Sequence, residues 1–141
     1  IAKSFLTFES MSHKKIQKLC YYAYSWYLTL TNQELFKEGF EAWVHGPVNR
    51  ELYSHYADYG WSEIGKIDKN VEEILTEGEN KKLIEEIYRI YGHLNGDELE
   101  ALTHEERPWI DARKGLNAWE SSKEKIDNEI IKEFFRNQLE S

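Results

Sequence analysis

The sequence predicts a mainly helical fold, a single compact domain of residues 1–141 around one buried central helix, with one small two-stranded β element. Three observations carry that expectation. Residues 12–30 place Ile16, Leu19, Cys20, Ala23, Trp26, Tyr27 and Leu30 on one continuous apolar stripe at helical spacing. The apolar segments downstream keep the same period and are punctuated by capping signatures and glycines. Only residues 40–44 and 61–69 read as extended.

Each element follows in order. Ile1, Phe5 and Phe8 share one face of residues 1–9, with Ala2 and Leu6 beside them, which predicts a short helix packed on the central one. In the central helix Ser12 is placed to cap the first N–H groups, and Asn32 to accept the left-handed conformation that ends it. Tyr22 and Tyr24 flank the apolar stripe, and Lys14, Lys18 and Ser25 mark a polar face. Residues 40–44, FEAWV, form a short strand or pinned segment, and residues 61–69 are the partner the sequence offers it. Between them His45-Gly46-Pro47 ends the first segment, with Pro47 as the first position of a helix running to about Tyr59 and stopped by Gly60. Thr76 with Glu79 predicts a capping box opening a helix through Leu83, Ile84, Ile87, Ile90 and Tyr91. Asn95 with Glu98 predicts a second, opening a helix through Leu99 and Leu102. Pro108 opens a short helix that carries Trp109 and Ile110 and closes at Gly115. Ile126 and Ile131 bracket Asp127 as a hydrophobic staple, and the last helix buries Ile130, Ile131, Phe134 and Phe135.

Aromatic residues make up 14% of the chain, enough for a core without disulfides, and the one cysteine, Cys20, lies on the buried stripe. A lone buried thiol excludes a disulfide framework, is a poor nucleophile, and places the chain in a reducing cytoplasm. The central segment is too polar and too short for a membrane span, so no membrane partner is expected. The net charge of −8 is uneven: residues 1–70 carry 8 basic and 8 acidic side chains, residues 71–141 carry 10 and 18. Nucleic acid is a poor partner for such a surface, since phosphate recognition needs a basic patch and the only basic cluster is Lys14, Lys15 and Lys18. The acidic half suits either a basic protein or bulk solvent.

Candidates for chemistry are few. His45 precedes a helix start and reads as a base, an anion site or a turn residue; His104 lies in THEERPW; His13, His55 and His93 lack spaced partners. None has metal-ligand spacing, and no phosphate-cradling or nucleophile-elbow motif occurs, so no metal, cofactor or catalytic residue is expected. Tyrosine is more informative. Six tyrosines, at 21, 22, 24, 53, 56 and 59, lie on the two helices flanking the HGP turn. By helical phase Tyr21 and Tyr53 are the ones expected outside, as rigid amphipathic partner contacts.

Three blocks, KIQKLCYYAYSWYL, FEAWVHGPV and LEALTHEERPWIDAR, with a closing helix holding Ile130 and Phe135, resemble the Panacea antitoxin domain family, also described as SocA-like or GepA-like phage-associated proteins. The matching positions are Gln17, Lys18, Leu19, Tyr21, Tyr22, Ala42, Trp43, Gly46, Pro47, Thr103, His104, Pro108 and Trp109. The resemblance implies a mainly helical antitoxin of a bacterial or prophage toxin–antitoxin pair, not an enzyme, that neutralises a cognate toxin by binding it. It leaves the toxin unnamed and leaves room for a homo-oligomer. Where the family commonly has Tyr before Gly-Pro, this chain has His45, which argues against proton transfer there. No additional DNA-binding segment is seen, so self-repression by direct DNA binding is not expected. By size and position Trp43 and Trp109 are anchors against the central helix, Gly46 and Pro47 shape the next element, and Thr103 or His104 serves a buried backbone group at the bend before Pro108. Two alternatives compete: a phage-associated adaptor or regulator that binds another host protein, and a small hydrolase that uses His45 or His104.

Overall fold

The computed structural model describes residues 1–75 and 78–140. In chain order they form α1 (Ala2–Leu6), β1 (Met11–Ser12), α2 (His13–Thr31), β2 (Glu41–Trp43), β3 (Gly46–Val48) and α3 (Arg50–Tyr56), which runs into a single 3₁₀ turn (Ala57–Tyr59). Then come β4 (Glu63–Ile64), α4 (Val71–Ile74), α5 (Gly78–Tyr91), α6 (Gly96–His104), α7 (Arg107–Ala112) and α8 (Asn128–Glu140). The chain is mainly helical, as its periodicity predicts.

The axis of the molecule is α2. Its ends are where the sequence puts them: the Ser12 hydroxyl accepts from Lys15 N–H at 3.1 Å, and Asn32 adopts φ +60° with its N–H on the Leu28 carbonyl at 2.8 Å. It packs against α8, α6 and α5, and α1, α3 and β3 close the remaining sides. Enclosure on so many sides changes which residues are interior. Ile16, Leu19, Cys20 and Ala23 are sealed as expected, but Leu30 is 62% exposed, while Leu28 in the same last turn is buried. The expected polar face does not exist as such: Lys18 and Ser25 are buried. Tyr21, Tyr22 and Tyr24 are sealed as well, in an aromatic cluster with Tyr91, Phe40 and Phe135; Tyr22 stacks on Tyr91 with centroids 4.0 Å apart. Burying a large aromatic side chain is among the strongest stabilising contributions a single residue makes.

The β structure differs from expectation. Residues 40–44 do not pair with residues 61–69; β2 pairs with β3 in an antiparallel hairpin, Trp43 opposite Gly46, with Val44 and His45 as its two-residue turn. Local closure wins over a partner some twenty residues away, because a short loop costs less entropy. Pro47 therefore lies in β3 and not at a helix start. The helix begins at Arg50, capped by Asn49, whose Oδ1 accepts from Leu52 N–H at 2.9 Å. The other side of β2 is covered by the chain before α8: Ala42 N–H donates to the Glu124 carbonyl at 2.8 Å, and Ile126 N–H to the Phe40 carbonyl at 2.9 Å. From residues 61–69 only Glu63–Ile64 forms a strand, paired with Met11–Ser12.

The Asn95–Glu98 capping box is present in both directions, at 2.9 and 2.8 Å. The box expected at Thr76 and Glu79 lies outside the described residues, although α5 itself follows. The Ile126/Asp127/Ile131 staple holds α8: both isoleucines are buried and Asp127 accepts from Glu129 N–H at 2.7 Å. On α8, Ile131 and Phe135 are buried and Ile130 and Phe134 half-buried. Among the described residues no helix is long and apolar enough to cross a membrane.

Candidate partner-binding groove

The first two turns of α2, the β2–β3 hairpin, α3 and the start of α6 surround a groove of about 790 Å³. Positions 13, 14, 17 and 18 of α2 face it together because helix geometry brings i, i+4 and i+5 to one side. Gln17 joins α2 to the end of the hairpin. Its Oε1 accepts from Asn49 N–H at 2.9 Å, and its Nε2 donates to the Asn49 carbonyl at 3.2 Å. A side-chain amide thus closes both backbone groups of one residue. Asn49 in turn donates to the Gly39 carbonyl at 2.8 Å while capping α3.

Lys18 continues beneath the hairpin, 2% exposed, with Nζ 3.4 Å from the Pro47 carbonyl. Gly46 makes room for it. At φ +112° a glycine is at ease, and a Cβ there would fall 2.7 Å from Lys18 Cε and 3.1 Å from Thr103 Oγ1. Burial pulls the Lys18 amine down to about 7; Glu100 works against that and Lys14 with it. Neighbouring His13 is lowered by burial and then by Lys18, and its ring packs on those of Tyr53 and Tyr56.

The third sequence block packs behind the hairpin. Trp109 Nε1 donates to the Trp43 carbonyl at 2.8 Å, and His104 stacks on Trp109 with centroids 3.9 Å apart. Burial lowers His104 below the ordinary histidine range. Thr103 is buried and donates to the Glu100 carbonyl at 2.8 Å, an i−3 contact inside α6. Pro108 is buried at the start of α7, and Tyr22 donates to Glu106 at 2.8 Å. Leu19 and Ala42 are sealed, and the Ala42 carbonyl accepts from buried Arg113 at 2.8 Å. The three blocks, scattered over ninety residues, therefore meet around Lys18, Gly46 and Trp109.

Of the two tyrosines expected outside, only Tyr53 is: it is 41% exposed, lines the groove and packs on Trp43 at 4.9 Å. Tyr21 is a correction. It is fully buried against Tyr22, Phe40 and Phe135, because α8 covers the side of α2 that periodicity leaves open. Two contributors were missed from sequence, and the environment of a third was misread. Trp61, 89% exposed, stands at the groove's edge in a stretch read as strand. Asn49 carried a signal, being a favoured capping residue ahead of a helical run. Lys18 carried none.

His45 is exposed, with Nδ1 3.3 Å from Glu100 Oε2. Burial raises the Glu100 carboxyl, but Lys14, 2.7 Å away, and His45 outweigh it and hold the group below its ordinary value. Cys20 is sealed, and burial raises its thiol to about 12. Among the described residues no group of three or more His, Cys, Asp or Glu is placed to hold a metal ion. What the groove offers is an apolar and aromatic wall of Trp43, Val48, Tyr53 and Trp61 beside a lysine-bearing floor, a combination that suits protein recognition.

Compared with known proteins, residues 16–110 match the family described as "Antitoxin SocA-like, Panacea domain". No curated protein and no solved structure matches the chain.

Proposed function

The chain belongs to the SocA-like, Panacea-domain antitoxin family, and from that premise we propose that it neutralises a cognate toxin by direct binding in the groove beside α2. The carrying observation is the placement of Trp61, Tyr53 and Trp43 around a recess lined by residues of the first two family blocks, with the third packed behind the hairpin. Exposed aromatics beside a recess are typical anchors of binding energy. In this reading the protein works in the cytoplasm and performs no turnover. The domain is the whole of residues 1–141: α8 lies beyond the matched segment, yet its Ile131 and Phe135 complete the core on α2.

The test is co-expression with the product of the adjacent reading frame, scored by growth and co-purification. Wild type is expected to restore growth, and Trp61→Ala to weaken the complex at least tenfold without loss of fold, since Trp61 supports nothing inside. Equal rescue and equal affinity would remove the groove from the account. One observation favours a hydrolytic reading, the His45–Glu100 contact at 3.3 Å. That reading requires His45→Ala to abolish turnover of a model ester, whereas the antitoxin reading expects no turnover from wild type.

A further inference from the structure

Three lysines line the groove, and two have carboxylates. Lys14 reaches Asp97 at 2.9 Å and Glu100 at 2.7 Å; Lys15 reaches Glu9 at 3.1 Å and the Gly92 carbonyl at 2.6 Å. Lys18 has no carboxylate within ion-pair distance among the described residues, and its hydrogen bond to the Pro47 carbonyl, 3.4 Å, is a long one. A buried amine so poorly partnered is costly to the fold. The chain nevertheless shapes the hairpin around it, with a left-handed glycine whose missing Cβ is the space that the lysine stem occupies. Shape, burial and vacancy of charge thus coincide in one side chain, which belongs to the groove lining and ends beneath the hairpin.

We propose that Lys18 is the groove's carboxylate receptor: an aspartate or glutamate side chain of the bound toxin pairs with its Nζ while Trp43, Tyr53 and Trp61 hold the same segment's apolar side chains. The inference rests on the antitoxin reading and adds the chemistry of the partner to it. Charge complementarity selects a carboxylate over a phosphate. One unpaired ammonium balances one negative charge, and Glu9, Glu63 and Asp97 on the same groove repel a doubly charged group. The groups facing Lys18 are His13 and Lys14 on α2, His45 on the hairpin turn, and Glu100 and His104 on α6. Only Glu100 among them favours the charged amine. A partner carboxylate raises the amine's pKa, so binding takes up a proton; affinity is full below about 7 and declines as pH rises above it.

The experiment uses the full chain and the purified product of the adjacent reading frame. Dissociation constants are measured by calorimetry at pH 6.5 and 8.5 for wild type, Lys18→Met and Trp61→Ala, and the Lys18 amine is titrated by ¹³Cε NMR with and without toxin. Expected results are a wild-type affinity at least threefold weaker at the higher pH, and a Lys18→Met affinity at least tenfold weaker at pH 6.5 and indifferent to pH. The Lys18 titration in wild type, which needs no variant, is expected to move upward in the complex. If Lys18→Met binds within twofold of wild type and the amine does not move, while Trp61→Ala binds weakly, the carboxylate receptor is overturned and the groove survives. If neither substitution matters to a toxin that still binds, the groove reading falls with it. If the adjacent product does not bind at all, both are lost.

Discussion

The Glu106 carboxyl, half-buried and held by the Tyr22 hydroxyl at 2.8 Å, shows how a single residue couples this core to pH. Burial raises it to about 7; Tyr22 partly offsets that and Glu105 adds to it. Its ordinary value is 4.5, so the folded state holds its proton more tightly than the unfolded state. The stability it contributes is complete below pH 4.5 and is lost as pH rises through about 7. Glu106→Gln keeps the hydrogen bond and removes the charge. Thermal melts across pH 4.5–8 are expected to show a flattened dependence and a gain on the order of 3 kcal/mol at pH 8. Lys18 has the opposite sign. Its amine is depressed from 10.5 to about 7, so stability is lost as pH falls between those values. Lys18→Met is expected to stabilise the free protein at pH 7 by about 1–4 kcal/mol, measured by denaturant titration. The burial of neither group was legible from sequence. Helical phase put Lys18 on a polar face, because its walls come from residues 46 and 103, far away along the chain.

Elements were more legible where a local rule fixes them. The caps at Ser12, Asn32 and Asn95 act within a turn of themselves, and all three stand as read. Asn95→Ala is expected to cost about 1 kcal/mol by chemical denaturation. The hairpin was misread, because Pro47 suits both a first helical position and an edge strand, and only pairing decides between them. Gly46 is the element's hinge point. Gly46→Ala forces a strained φ and presses on Lys18, with an expected cost of about 1–3 kcal/mol and weakened toxin binding in the same calorimetric assay.

At the scale of the molecule, α2 is enclosed so fully that its sequence alone cannot say which side is open. Periodicity identified the core helix but assigned Tyr21 and Leu30 to the wrong environments: Phe135 of α8 covers Tyr21, and Leu30 lies outside. Phe135 shows how α8 closes the core. It is sealed against Tyr21, Tyr22 and Trp26, and Phe135→Ala is expected to cost about 3–5 kcal/mol. Exposed groove aromatics carry no such load, so binding and stability should separate cleanly between these two sets of residues. Hydrogen exchange of the full chain, with and without the toxin, tests that division most directly. The account predicts new protection at residues 13–18, 43–48 and 60–64, with α8 unchanged; protection confined to α8 and the acidic face, with the groove untouched, would contradict it.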